Sequence, residues 1–95
     1  MILSSGNNLL TRMQKRGQGL TVREVDGEVV VLDTESDQIH QLNRTASFIW
    51  RNCAEVTSAN ELAILLATEF DVEEHIALKD VIETLSTLRA LRLIV

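Results

Sequence analysis

Asp26-Gly27 stands between two β-rich runs, LTVREV and EVVVLD, and no other short signal in the chain restricts the fold as much. A two-residue hairpin turn needs positive φ at its centre, which Gly supplies without steric cost and Asp tolerates. The spacing predicts antiparallel strands over residues 20–25 and 28–33. Thr34-Glu35-Ser36-Asp37 reads as a polar turn, after which Gln38-Ile39-His40-Gln41-Leu42 can return as a third strand. The middle strand then has a neighbour on each side, in agreement with its unbroken Val29-Val30-Val31-Leu32 run. The two outer strands carry polar residues suited to an edge. Strand three is thus expected to be an exposed edge, a template for another strand.

Beyond the meander the hydrophobic period changes from two to that of a helix. Asn43 or Thr45 can cap a first, short helix whose apolar content is Ala46, Phe48, Ile49, Trp50 and Cys53. Ser58 with Glu61 three residues later has the spacing of a capping box and opens a second helix that ends near Phe70. Asp71 is placed to cap the third, with Glu73 and Glu74 in its first turn. Ile76, Leu78, Val81, Ile82, Leu85, Leu88 and Leu91 recur at helical spacing to about residue 90, and Leu93-Ile94-Val95 can extend as a short β tail. No proline interrupts any of this. The expected fold class is α+β: a three-stranded antiparallel meander followed by three helices.

A chain of 95 residues has room for one core and not two, since two halves would each approach the size at which folding alone becomes marginal. Residues 1–18 have Gly6, Gly17, paired asparagines and scattered charges with no periodic apolar face, and are expected to be a flexible basic tail ahead of a domain over residues 19–95. The net charge of −5 is unevenly spread. Residues 1–23 carry Arg12, Lys15, Arg16 and Arg23 with no acid, for +4; residues 24–95 carry five basic and fourteen acidic residues, for −9. Counterion release on duplex DNA requires a basic surface, so an acidic body disfavours duplex DNA as a partner.

Cys53 is the only cysteine, which excludes an intramolecular disulfide and a cysteine zinc cage within one chain, and fits a reducing compartment. No apolar run has the length of a signal peptide or a membrane span. The expectation is a cytoplasmic protein with no membrane partner.

No catalytic constellation emerges. His40 and His75 lack the spacing of metal ligands, the serines sit in no nucleophile elbow, and Gly17-Gln18-Gly19 lacks the remaining glycine of a dinucleotide loop. Asp33, Glu35 and Asp37 crowd the second turn without the terminal glutamate of an EF-hand loop. Cys53, three residues after Trp50 on an apolar helix, reads as a buried structural thiol, and Trp50 as core. No enzyme activity, cofactor or metal is expected.

The segment Gly27-Glu28-Val29-Val30-Val31-Leu32-Asp33, followed by Gln38-Ile39-His40-Gln41-Leu42-Asn43-Arg44-Thr45-Ala46-Ser47-Phe48-Ile49-Trp50, resembles the PqqD-like family. The run from Ile39 to Trp50 is its most specific part, and with Glu69-Phe70-Asp71-Val72 and Leu88-Arg89-Ala90-Leu91 the resemblance covers about residues 20–95. Arg44 stands where the family commonly has proline. The resemblance implies a winged helix-turn-helix-like domain, a RiPP recognition element, acting as a peptide chaperone. Such a domain binds the leader of a ribosomally made precursor peptide and presents it to a radical-SAM or other peptide-modifying enzyme. Coenzyme PQQ biosynthesis is one such setting, and others exist. It also implies that the peptide adds beside strand three, here Gln38, Ile39, His40, Gln41 and Leu42, and lies against the third helix. At 100° per residue one flank of that helix presents Leu78, Ile82 and Arg89, with Lys79 and Ser86 beyond; this flank is the expected groove wall, with Glu83 facing away. The other flank, with Ala77, Leu88 and Leu91, is the alternative. Competing functions are a DNA-binding winged helix and a regulatory subunit of a kinase-like or transferase system.

Overall fold

A computed structural model describes residues 19–56 and 58–94; the expected tail at residues 1–18 lies outside the described residues. The elements run β1 (Leu20–Val25), β2 (Glu28–Asp33), β3 (Gln38–Gln41), α1 (Arg44–Asn52), α2 (Ala59–Phe70) and α3 (Glu74–Ala90). The strands form one antiparallel sheet in the order β1-β2-β3, so the α+β meander-then-helices architecture stands as expected. Val25 pairs with Glu28 across the first turn. Asp26 and Gly27 both have positive φ, 52° and 81°, which is the geometry that matches the twist of the flanking strands.

Strand alternation decides what the sheet buries. Val29 and Val31 point into the core, while Leu32 is exposed on the far face and Val30 is half-buried there. The Val29–Leu32 run is therefore flanked by strands on both sides but covered by helices on one face only. Asp33 is buried at the end of β2, where its Oδ1 accepts the backbone N–H groups of Glu35 and Ser36 at 3.0 and 3.3 Å. Those bonds order the turn into β3.

Asn43 caps α1, its side-chain oxygen accepting the Ala46 N–H at 2.9 Å. Arg44 thus begins the helix without help from a proline. Ile49, Trp50 and Cys53 are buried in the core, as expected. Phe48 meets Phe70 edge-on, with centroids 5.7 Å apart. Ser58 caps α2 by accepting the Glu61 N–H at 3.1 Å.

Asp71 differs from its expected role. It is the left-handed C-cap of α2 (φ 55°, ψ 51°), its N–H bonded to the Ala67 carbonyl. Helix α3 starts three residues later, at Glu74, behind Glu73, which makes no side-chain cap bond. An aspartate tolerates the left-handed region that ends a helix as well as it caps one, so the sequence supports either use.

The buried stripe of α3 is Ala77, Val81, Leu85 and Leu88, whereas Ile76 and Ile82 are exposed. At its end Arg92 takes positive φ (63°) and the Leu93 N–H returns to the Leu88 carbonyl at 2.9 Å. This reversal turns Leu93 and Ile94 into the core. Of the expected β tail, the described part is a bend at Leu93 and a bridge at Ile94, and Val95 lies outside the described residues.

Candidate functional site: an open strand edge beside a cleft

The phase of the sheet's hydrogen bonding is fixed by two contacts just beyond the ladders. Leu42 donates its N–H to the Val29 carbonyl at 2.8 Å, and Thr34 donates to the Gly19 carbonyl at 2.8 Å. Opposed residues in an antiparallel pair alternate between exchanging hydrogen bonds and not exchanging them. With the register Val30↔Gln41, Val31↔His40, Leu32↔Ile39 and Asp33↔Gln38, the backbone groups of Gln38, His40 and Leu42 turn toward β2. Those of Ile39 and Gln41 turn away from the sheet, and among the described residues β3 has no further strand beside it.

Ser47 closes this ladder from below. Its hydroxyl, fully buried, accepts the Val29 N–H at 2.8 Å and donates to the Leu42 carbonyl at 3.0 Å. A strand pair would ordinarily bond these two groups directly. The side chain inserted between them joins the first turn of α1 to the end of β3, and so sets the strand's position relative to the helices.

Beside the edge, among the described residues, no helix backbone packs directly on β3. A cleft of about 280 Å³ opens between Leu42 at the strand's end, Ala46 on α1, and Glu83, Thr84, Thr87 and Leu88 on α3. Its floor is apolar and its α3 wall is polar. The Thr87 hydroxyl donates to the Glu83 carbonyl at 3.1 Å, which holds the threonine methyl in one orientation on the wall.

The expected α3 wall and the lining of this cleft do not coincide. Leu78, Lys79, Ile82, Ser86 and Arg89 do not line the cleft, and Glu83, expected to face away, does. The helix is rotated so that its stripe of contact with the core is centred on Ala77, Val81 and Leu88. Ile82 projects into solvent, and Leu78 packs partly against the core instead. The alternative flank, marked by Leu88, is the one turned toward β3. Sequence reading missed Ala46, Thr84 and Thr87. Their signal was available as a polar stripe, Asp80-Thr84-Thr87, at the i, i+4, i+7 spacing of one helix flank.

On β3 itself, Ile39 is 70% exposed on the outer face. Gln41 donates its side-chain N–H to Glu28 at 2.9 Å. His40, opposite the inward-pointing Val31, has its Nε2 out of solvent with no hydrogen-bond partner among the described residues. Among the described residues, no group of His, Cys, Asp and Glu side chains is placed to hold a metal, and no helix is long and apolar enough to cross a membrane.

A family model described as coenzyme PQQ synthesis protein D (PqqD) matches residues 28–94. No curated protein matches the chain. Among solved structures, TbiB1 in complex with the TbiA(beta) leader peptide aligns with a TM-score of 0.74 at 22% identity, over 86% of this chain and 94% of that one. A lasso peptide synthetase B1 complexed with the leader peptide aligns with a TM-score of 0.77 at 26% identity, over 88% of this chain and 98% of that one.

Proposed function

This chain belongs to the PqqD family, and from that premise we propose that it is a binding module that captures the leader of a ribosomally made precursor peptide and presents it to a peptide-modifying enzyme. The capture is strand addition to β3. The observation that carries the reading is the pair of outward-facing backbones at Ile39 and Gln41 on an edge with a cleft beside it. Strand addition supplies main-chain hydrogen bonds for affinity and side-chain pockets for specificity, and both parts are at hand here. The similar lasso peptide synthetase B1 structure, complexed with its leader peptide, supports the ligand class. The peptide-facing set is Gln38, Ile39, His40, Gln41 and Leu42 with Ala46, Thr84, Thr87 and Leu88. The role is binding and not catalysis: the lone thiol, Cys53, is fully buried beneath Trp50 and its sulfur lies 3.3 Å from the Trp50 carbonyl oxygen.

Proline substitution tests this directly, because it removes one N–H and a ladder tolerates it only where that N–H faces outward. Ile39→Pro and Gln41→Pro should leave the thermal melt close to that of the parent. Each should weaken a bound peptide by about tenfold, the loss of roughly one hydrogen bond plus the ring's obstruction of close approach. Full peptide affinity in both variants would remove β3 as the docking edge.

A further inference from the structure

We propose that the cleft beside β3 selects peptides carrying a basic residue, with Glu83 as the contact for its charge; the inference rests on the strand-addition reading and names the chemistry of the client. Among the described residues, Glu83 is the one charged side chain lining the cleft. Asp80 lies on the same flank, one turn before Thr84. Arg89 is five residues from Thr84, about 140° away around the axis, whereas Lys79 stands one turn before Glu83 on the same flank, with no ion pair between the two among the described residues. Among the described residues neither acid is joined to a base. Among the described residues the ion pairs join Arg51 to Glu24 and His75 to Glu73, and Arg44 reaches the Asp26 carbonyl.

The shape of the cleft adds to the charge. A strand laid on the Ile39 and Gln41 backbones alternates its side chains, and those opposite His40 and Leu42 turn inward, toward α3. An inward lysine or arginine can lay its methylene stem over the apolar floor of Leu42, Ala46 and Leu88 while its charged head reaches the Glu83 carboxylate at the rim. An inward acid would meet the like charge of the Glu83 carboxylate. The acidic body, −9 over residues 24–95, adds attraction at longer range for a basic segment.

The test is a selection of random displayed short peptides on the full chain. The wild type, Glu83→Lys and Glu55→Lys serve as baits. Glu55 is exposed and does not line the cleft, so it controls for net charge. Wild type and Glu55→Lys should both enrich lysine or arginine at one fixed position of an alternating pattern, and Glu83→Lys should enrich aspartate or glutamate there. In titration, replacing that basic residue of an enriched peptide by glutamate should weaken binding to wild type by about fivefold, and less to Glu83→Lys. Enriched peptides with no charge preference, or with the same preference on all three baits, would overturn the selection by Glu83 and leave strand capture standing. No enrichment on any bait would overturn both.

Discussion

The sheet has two edges, and they are built differently. β1 turns the backbones of Leu20, Val22 and Glu24 outward, by the same alternation that turns those of Ile39 and Gln41 outward on β3. The side chain of Glu24 lies on the core side of its strand, opposite Val29, where Arg51 pairs with it at 3.3 Å. An inward-pointing charge on an edge strand is a known guard against strand addition, since a partner strand would have to cover it. The residues of β3, Gln38-Ile39-His40-Gln41, include no residue with a fixed charge, and a cleft opens at the strand's end, at Leu42. One edge is defended and the other open, which separates sheet edges that strand count alone would treat as equal.

The largest effect that probes this contrast is at His40. Its N–H faces β2, so His40→Pro removes a ladder bond and places a ring against the neighbouring strand, which should cost about 3 kcal/mol or more and unfold much of the population. A denaturant melt matching that of Ile39→Pro would show the hydrogen-bond phase of β3 to be reversed. Ser47→Ala comes next. It strands the Val29 N–H and the Leu42 carbonyl in the interior, for an expected loss of about 1 to 3 kcal/mol. The loss of protection should be concentrated at the β2–β3 ladder and not at β1–β2, a difference that amide hydrogen exchange resolves.

On the defended edge the effects should be smaller. Val22→Pro removes an outward N–H, so it should lower stability only modestly and leave peptide affinity within error; a tenfold affinity loss there would mean that β1 is a docking edge too. The smallest expected change is from Arg51→Ala, which breaks an exposed ion pair worth at most about 1 kcal/mol. Its informative readout is self-association: an increase in sedimentation-detected dimer on removing Arg51 would show that the Glu24 pair shapes the edge.

The sequence made the fold legible at nearly every element because local signals agreed with one another. Asp26-Gly27 set the hairpin, Asn43 and Ser58 capped the helices they were expected to cap, and the apolar runs reached the core at Trp50, Leu62 and Leu85. Asp71 misled because one short polar side chain serves both helix ends. The expected groove wall and the observed cleft differ for another reason. Hydrophobic periodicity weighs Ile82 heavily and Ala77 lightly, yet Ala77 is fully buried while Ile82 is 54% exposed. Rotation of α3 about its own axis is set by what packs against it, and one helix's residues do not contain that information. Alternation along β3 was readable, but its phase was not. It became definite only with the Leu42-to-Val29 bond, a contact between residues in different elements.

Strand addition at β3 is tested most directly by residue-resolved amide hydrogen exchange on the protein alone and saturated with a bound leader-type peptide. In the free protein the Ile39 and Gln41 amides should exchange quickly while that of His40 is protected by its bond to β2. With peptide bound, Ile39 and Gln41 should become protected by at least an order of magnitude, and Val22 and Glu24 on the opposite edge should remain fast. Protection gained at Val22 and Glu24, or binding with none gained at Ile39 and Gln41, would contradict β3 as the edge that receives the peptide.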